Sequence, residues 1–245
     1  MSLKPYTTKI KNQLNQVEEQ LTRIYYFFGS DKQCPICQWT GHSFITKVYP
    51  EKTAARETCP QCGSCQRHRL AYYLLFEKLG AAYTVLHVAP EKAIEKWLRS
   101  LSKYYLSIDF FNSAMQKMDL TKLDLKDSSF DLVWCSHVLE HIPNDLIAMS
   151  EIHRVLKSGG KAIIQVPIYG SSTYENFSIT SPEERLKHFK QKDHVRLYGL
   201  DIIERLESVG FNIQLLDTSK LPPEDMKRYA LDYPSTREIF VCSKS

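Results

Sequence analysis

From Tyr83 onward the chain alternates between short apolar, β-rich runs and segments with helical spacing, a pattern that few folds accept. Strand-like runs fall at residues 83–88, 104–109, 131–135, 161–167, 211–217 and 237–243, with a weak one near 115–118. Helical stretches lie near 91–101, 143–156 and 198–209. A strand that hands over to a helix before the next strand returns by a crossover, which makes neighbouring strands parallel and covers both sheet faces. The expected fold class is therefore α/β with a mostly parallel sheet. Residues 169–196 interrupt the alternation and are too long for an ordinary connection, so they read as a lid or substrate loop.

Two further units precede this domain, giving the division 1–29, 30–80 and 81–245. In residues 5–28, Ile10, Leu14, Val17, Leu21, Ile24 and Phe28 recur at helical steps and predict an amphipathic helix. Its apolar stripe packs on the chain's own domain or on a second copy, which makes a homodimer one expectation. Residues 30–80 hold a cysteine module and a linking helix. Cys34-Pro35-Ile36-Cys37 and Cys59-Pro60-Gln61-Cys62 are two CxxC pairs separated by 21 residues, and two such knuckles supply tetrahedral sulfur ligation for a structural zinc ion. Disulfides are the rival reading. No basic, apolar leader opens the sequence and no apolar run approaches the roughly 20 residues of a membrane span, so a cytoplasmic location with reduced thiols is expected and no membrane partner is. Cys65, His42 and His68 are spare ligand candidates. The net charge of +4 is spread along the chain; it permits nucleic acid as a partner without favouring it.

The carboxylates and turns carry the chemistry. The run Thr84 to Glu91 is a buried strand entering a turn, and the first turn of a doubly wound sheet meets the cofactor. Asp109 ends the second strand, where an acid accepts hydrogen bonds from ribose hydroxyls. Asp119 sits where a third strand should end. Phe130-Asp131-Leu132-Val133-Trp134-Cys135-Ser136-His137-Val138-Leu139-Glu140-His141-Ile142 is a strand and turn, followed by the helix-start signals Pro143, Asn144 and Asp145.

With the segment Glu151 to Gly160, this stretch resembles a class I S-adenosylmethionine-dependent methyltransferase of the broad type-11 group, over about residues 83–213. The front end, with its CPxC pairs, Arg67-His68-Arg69 and Leu86-His87-Val88-Ala89-Pro90-Glu91, also resembles zinc-containing members of that group. The resemblance implies a Rossmann-like seven-stranded sheet and S-adenosylmethionine as cofactor. It implies that Asp109 binds the ribose and Asp119 the adenine amino group. It also implies that the turn around His87, Ala89 and Glu91 meets the methionine moiety, with Ser136 and His137 beside the sulfonium.

The first turn departs from the group's glycine-rich pattern, since Ala89-Pro90-Glu91 contains no glycine. Glycine permits positive φ and close backbone approach. Either the turn is rebuilt, with Glu91 contacting the cofactor's amino group, or the domain has lost its cofactor and is a non-catalytic binding protein. The same lack weighs against a nicotinamide dehydrogenase, whose pyrophosphate needs close backbone contact. Methyl transfer needs alignment and, for many acceptors, a base. His141 and His194 are the candidates, with Arg196 in the Asp193-His194-Val195-Arg196 run that borders the acceptor pocket in resembling enzymes. The expected substrate is a small-molecule or glycan acceptor; the Arg67-His68-Arg69 run keeps an RNA methyltransferase as the alternative.

Overall fold

The computed structural model describes residues 25–48, 55–111, 113–216, 218 and 221–245. The amphipathic segment expected over 5–28, and with it the homodimer reading, falls almost wholly outside the described residues.

The cysteine module is built from two small antiparallel pairs. Strand β1 (Lys32–Gln33) pairs with β2 (Thr40–Gly41), and β3 (Ile45–Lys47) with β4 (Arg56–Thr58). Helix α1 (Gln66–Leu75) follows, with Cys65 as its N-cap. The chain then winds β5 (Ala82–Val88), helix α2 (Lys92–Leu101), β6 (Ser102–Asp109), β7 (Gln116–Lys117) and β8 (Phe130–Ser136). Helix α3 (Asp145–Val155) and β9 (Leu156–Gln165) come next. The insert contributes β10 (Tyr174–Glu175), helix α4 (Pro182–Phe189) and β11 (Arg196–Leu197). Helix α5 (Ile202–Ser208), β12 (Asn212–Leu216), helix α6 (Pro223–Arg228) and β13 (Ile239–Ser243) complete the chain.

Seven strands make one sheet in the order β12-β13-β9-β8-β5-β6-β7. Only β13 runs antiparallel to its neighbours, so the sheet is Rossmann-like and mostly parallel, as the alternation required. From β5 the chain winds outward to β6 and β7, then returns to the other side for β8 and β9. This reversal opens a crevice at the carboxyl ends of β5 and β8, where open α/β sheets bind ligands. Alternate residues feed opposite faces. Leu86, Val88, Val133 and Cys135 pack with Met149 and Ile152, whereas Val85, Leu132 and Trp134 pack with Leu70 and Trp97. With both faces covered, strands β5 and β8 read as continuous apolar runs.

Two boundaries differ from the sequence reading. The strand expected from 161 begins at Leu156, directly after helix α3, because Phe130 pairs with Leu156 before a register shift. Gly159 absorbs the irregularity at φ 74°. The helix expected from 198 begins at Ile202. Residues 196–197 pair with β10 instead, and a Cβ on Gly199 would lie 2.4 Å from the Ser172 backbone, so the chain must stay extended past the insert.

The cysteine module is joined to the sheet domain by one buried cation. Arg69 is fully buried, and its guanidinium donates to Tyr229 O (2.6 Å), Ser64 O (2.7 Å), Ala230 O (2.9 Å) and Glu57 O (3.2 Å), with its Cζ 3.9 Å from the Phe44 ring centroid. These acceptors come from the module and from the segment after helix α6, so one side chain ties together parts of the chain about 170 residues apart. Replacing Arg69 with Met keeps the aliphatic stem and strands the carbonyls. The expected loss is about 3 kcal/mol, read as a lowered urea midpoint with an unchanged m-value.

Candidate functional site

The four cysteines of the CxxC pairs converge. Cys34 Sγ lies 3.6 Å from Cys62 Sγ, Cys37 Sγ lies 3.7 Å from Cys59 Sγ, and all four sulfurs fall within 4.8 Å of one another. Sulfurs at about 2.3 Å from a tetrahedral centre are about 3.8 Å apart, so the spacing fits a closed tetrahedral S4 site. No disulfide joins any of the described cysteines. Burial pushes the Cys37 thiol up to about 12, and the neighbouring sulfurs hold Cys59 well above the thiol range. Without a cation the cluster must keep protons that a metal ion would displace. Of the spare ligands, Cys65 turns away to His68 Nδ1 (3.6 Å) and His42 pairs with Asp31 (2.9 Å).

In the run Arg67-His68-Arg69, His68 and Arg69 are buried and Arg67 is partly exposed at a cleft. Arg67 Nη2 and His68 Nε2 each stand 2.8 Å from Glu91 Oε1. Burial opposes ionisation of Glu91, but His68 and Arg67 overcome it and hold its carboxyl well below the usual range. The same two cations offset burial at Cys65 and bring its thiol down to about 5. Glu91 was expected to meet the cofactor's amino group; the structure makes it the anion of a buried ion-pair cluster that joins the first turn of the sheet to the cysteine module. His87 is likewise placed differently from the cofactor-contact reading. It is fully buried, with Nδ1 2.9 Å from Tyr105 Oη and Nε2 accepting from the Glu91 amide (3.3 Å). Because Nε2 accepts, Nδ1 carries the proton and the ring is neutral.

The glycine-free turn nevertheless keeps the conformation of a glycine. Ala89 sits at φ 47°, and its amide donates to Ile108 O (2.8 Å), locking the turn onto β6. Asp109 closes β6 and accepts from Ser113 Oγ, while its carbonyl accepts from the Met118 amide (3.0 Å). Asp119 is exposed just beyond β7, with one oxygen taken by the Thr121 amide (2.8 Å) and hydroxyl (2.7 Å). Both acids stand at the carboxyl edge of adjacent parallel strands, beside the Ala89 turn.

On the other side of the switch point a cleft of about 250 Å³ opens between the cysteine module, the turn after β8 and the insert. Arg56, Arg67, His137, Tyr169, Lys190 and Tyr233 line it; Asp109 and Asp119 do not. Ser136 is buried behind it, its Oγ 3.5 Å from Glu91 Oε1. His137 sits at φ 55°, its amide donating to Gln165 O (2.8 Å) and its Nδ1 3.1 Å from Glu140 Oε1. Burial raises the Glu140 carboxyl, but the His137 hydrogen bond and the charges of His137, His141 and His194 bring it below the usual range. His137 Nε2, Glu140 Oε2 and both ring nitrogens of His194 are buried without a hydrogen-bond partner among the described residues. An unsatisfied buried polar atom costs about 1–3 kcal/mol, so such a concentration marks a site rather than a packing accident.

His141 and His194, the two candidate bases, lie together, with ring centroids 4.8 Å apart. Burial brings the His194 imidazole down to about 4. Arg196, proposed from sequence as catalytic, is instead a positioning residue. It is fully buried and commits four of its five N–H groups to Leu139 O (3.1 Å), Ile142 O (2.6 Å), Pro143 O (2.8 Å) and Glu175 (2.9 Å). Sequence reading missed Glu140. Its adjacency to His141 was visible, but its approach to His137 and His194 depends on the 3-10 turn Leu139–His141 and on the return of the insert.

Residues 62–164 match the family model described as a methyltransferase domain. This segment is a methyltransferase domain. Among curated proteins, an uncharacterized protein of Methanocaldococcus jannaschii is 50% identical over 48 residues, 20% of this chain and 21% of that protein. A sterol 4-C-methyltransferase of Caenorhabditis elegans is 46% identical over 46 residues, 19% of this chain and 14% of that protein. The matched stretches thus span about a fifth or less of those relatives. An S-adenosylmethionine-dependent methyltransferase of Mesorhizobium loti shares the fold at a TM-score of 0.52 and 15% identity, over 71% of this chain and 97% of that one. A phosphoethanolamine N-methyltransferase of Haemonchus contortus, solved with S-adenosyl-L-methionine, does so at 0.50 and 16%, over 71% and 51%.

The neutral His87 inside the methyltransferase domain has a pH signature. Unfolded imidazole takes a proton near 6.5, whereas folded His87 resists until about 4. Between those values the unfolded chain binds more protons, so stability falls as pH falls through that window, by up to roughly 3 kcal/mol. Thermal midpoints measured from pH 7 to pH 4 should drop less steeply in His87→Gln than in the wild type.

Proposed function

We propose that the protein is an S-adenosylmethionine-dependent methyltransferase acting on a small-molecule or glycan acceptor held in the cleft beside His137, with a structural zinc ion in the Cys34, Cys37, Cys59 and Cys62 cluster. The carrying observation is the convergence, at one sheet edge, of the left-handed Ala89 turn, the Asp109 carboxylate and the Ser136–His137 turn inside a methyltransferase domain. Bound there, S-adenosylmethionine supplies an activated methyl group. In this reading Asp109 takes the ribose hydroxyls and Asp119 the adenine amino group. The retained turn at Ala89 supports binding over the reading of a degenerate fold.

On the acceptor side, His137 lines the cleft and Glu140 accepts from its Nδ1, which leaves the buried, unpartnered Nε2 as the basic atom of an oriented general base. Arg56, Arg67 and Lys190 give the cleft a cationic wall, and Tyr169 and Tyr233 give it aromatic faces, which suit a small acidic or sugar-like molecule. Its volume and its closure by the insert favour that acceptor class over a nucleic-acid duplex. The burial of Arg69 and the pairing of Arg67 with Glu91 weaken the support that this run gave to the RNA alternative.

Titration calorimetry with S-adenosylmethionine should give saturable binding, and Asp109→Ala should weaken it roughly 10- to 100-fold through the lost charge-assisted hydrogen bonds. No binding at millimolar cofactor would sink the proposal. Metal analysis should find a zinc ion lost in Cys37→Ser, together with a lower thermal midpoint, because the module packs on the domain through Arg69.

A further inference from the structure

Apart from the sulfur cluster, the described residues bring together one other group with metal-ligand chemistry. One carboxylate oxygen of Glu140 and one ring nitrogen each of His141 and His194 lie within 4.8 Å of one another at the cleft. We propose that these three residues hold a divalent first-row transition-metal ion, a second metal site distinct from the cysteine cluster.

Three observations support it independently of the spacing. His194 is 1% exposed, yet neither ring nitrogen has a hydrogen-bond partner among the described residues, and Glu140 Oε2 is likewise buried and unpartnered. At Glu140 and His141 the atoms not needed for ligation are already occupied in the manner of a metal site's outer shell. Glu140 Oε1 is 3.1 Å from His137 Nδ1, and His141 Nδ1 is 3.3 Å from Asp193 Oδ2, which frees Nε2 of His141 and orients its ring. The site is also pre-built. The Val195 amide donates to Glu140 O (3.0 Å), and Arg196 clamps the carbonyls of Leu139 and Ile142, so the strand carrying His194 is fixed against the turn carrying Glu140 and His141.

Two imidazoles and one carboxylate suit zinc, manganese, iron, cobalt or nickel better than magnesium or calcium, which prefer all-oxygen sets. Three protein ligands leave coordination positions open, and two of the three, Glu140 and His141, line the cleft. An oxygen-bearing acceptor is the chemistry that would fill them. Metal binding stands without the methyl-transfer reading; only the role of the ion in holding the acceptor rests on it.

The test uses the full chain carrying its cysteine-bound zinc. Mn²⁺ and, separately, Zn²⁺ are titrated into it calorimetrically, with total metal per chain measured at saturation. Manganese is informative because thiolates bind it poorly. The expected result is one further equivalent, weakened at least tenfold in His194→Asn and in His141→Gln, with Mn²⁺ raising the thermal midpoint of the wild type only. If His194→Asn fails to fold, His141→Gln decides, since its side chain is 33% exposed and tolerates replacement. A metal content that stays at one per chain with both ions, or undiminished binding in both variants, overturns the site. S-adenosylmethionine affinity measured in the same samples separates the two readings. Cofactor binding without a second metal removes only this inference, and a second metal without cofactor binding removes only the enzyme.

Discussion

A largely shielded carboxylate, Glu91, sits at the turn where this sheet would bind its cofactor. Glu91 can remain ionised there only because Arg67 and His68 bring two cations against it from helix α1. That helix in turn starts immediately behind the last CxxC pair, with Cys65 as its cap. The electrostatics of the first turn are therefore supplied by the cysteine module. A glycine-rich turn needs no such support, because its backbone reaches the required conformation at little cost. Here Ala89 holds positive φ, and the ion-pair cluster, the Ala89 amide bond to β6 and the buried His87 ring over-determine the strained position.

This arrangement explains why the module and the domain belong to one folding unit. Arg69 binds carbonyls from the module and from the segment beyond helix α6, while Arg67, two positions before it, faces the cleft. Helix α1 thereby links the sulfur cluster to the Glu91 ion pairs and to one wall of the cleft. Arg196 plays the corresponding part on the other wall, spending a whole guanidinium on carbonyls to set the turn of Glu140 and His141 against His194.

Much of the fold could be read from local pattern. Strands β5, β6, β8 and β13 lie within two residues of their expected limits because each carries a continuous buried stretch, in β6 only over Tyr105–Ile108. The sulfur cluster was legible because its ligands come in pairs two residues apart. The start of helix α5 was not, since Tyr198 and Gly199 have helix-compatible neighbours and are held extended only by the β10–β11 pairing and the tight approach to Ser172. The protein partners of Glu91, His87 and Arg196 were not legible for one shared reason. A polar residue beside a catalytic turn looks available in sequence, and only its partners reveal that its hydrogen-bonding capacity is already used.

The sequence by itself determined the element order, the mostly parallel sheet, the switch point beside β5 and the four-sulfur cluster. Each of these follows from hydrophobic periodicity or short-range spacing, which are properties of neighbouring residues. Tertiary structure decided which charges neutralise one another and which polar atoms are left open toward the cleft. Those outcomes depend on approaches across 24 residues for Arg67 and Glu91, and across 54 for Glu140 and His194. No local signal encodes such approaches, because they exist only once the sheet has brought its strand ends to one edge and removed the water between them.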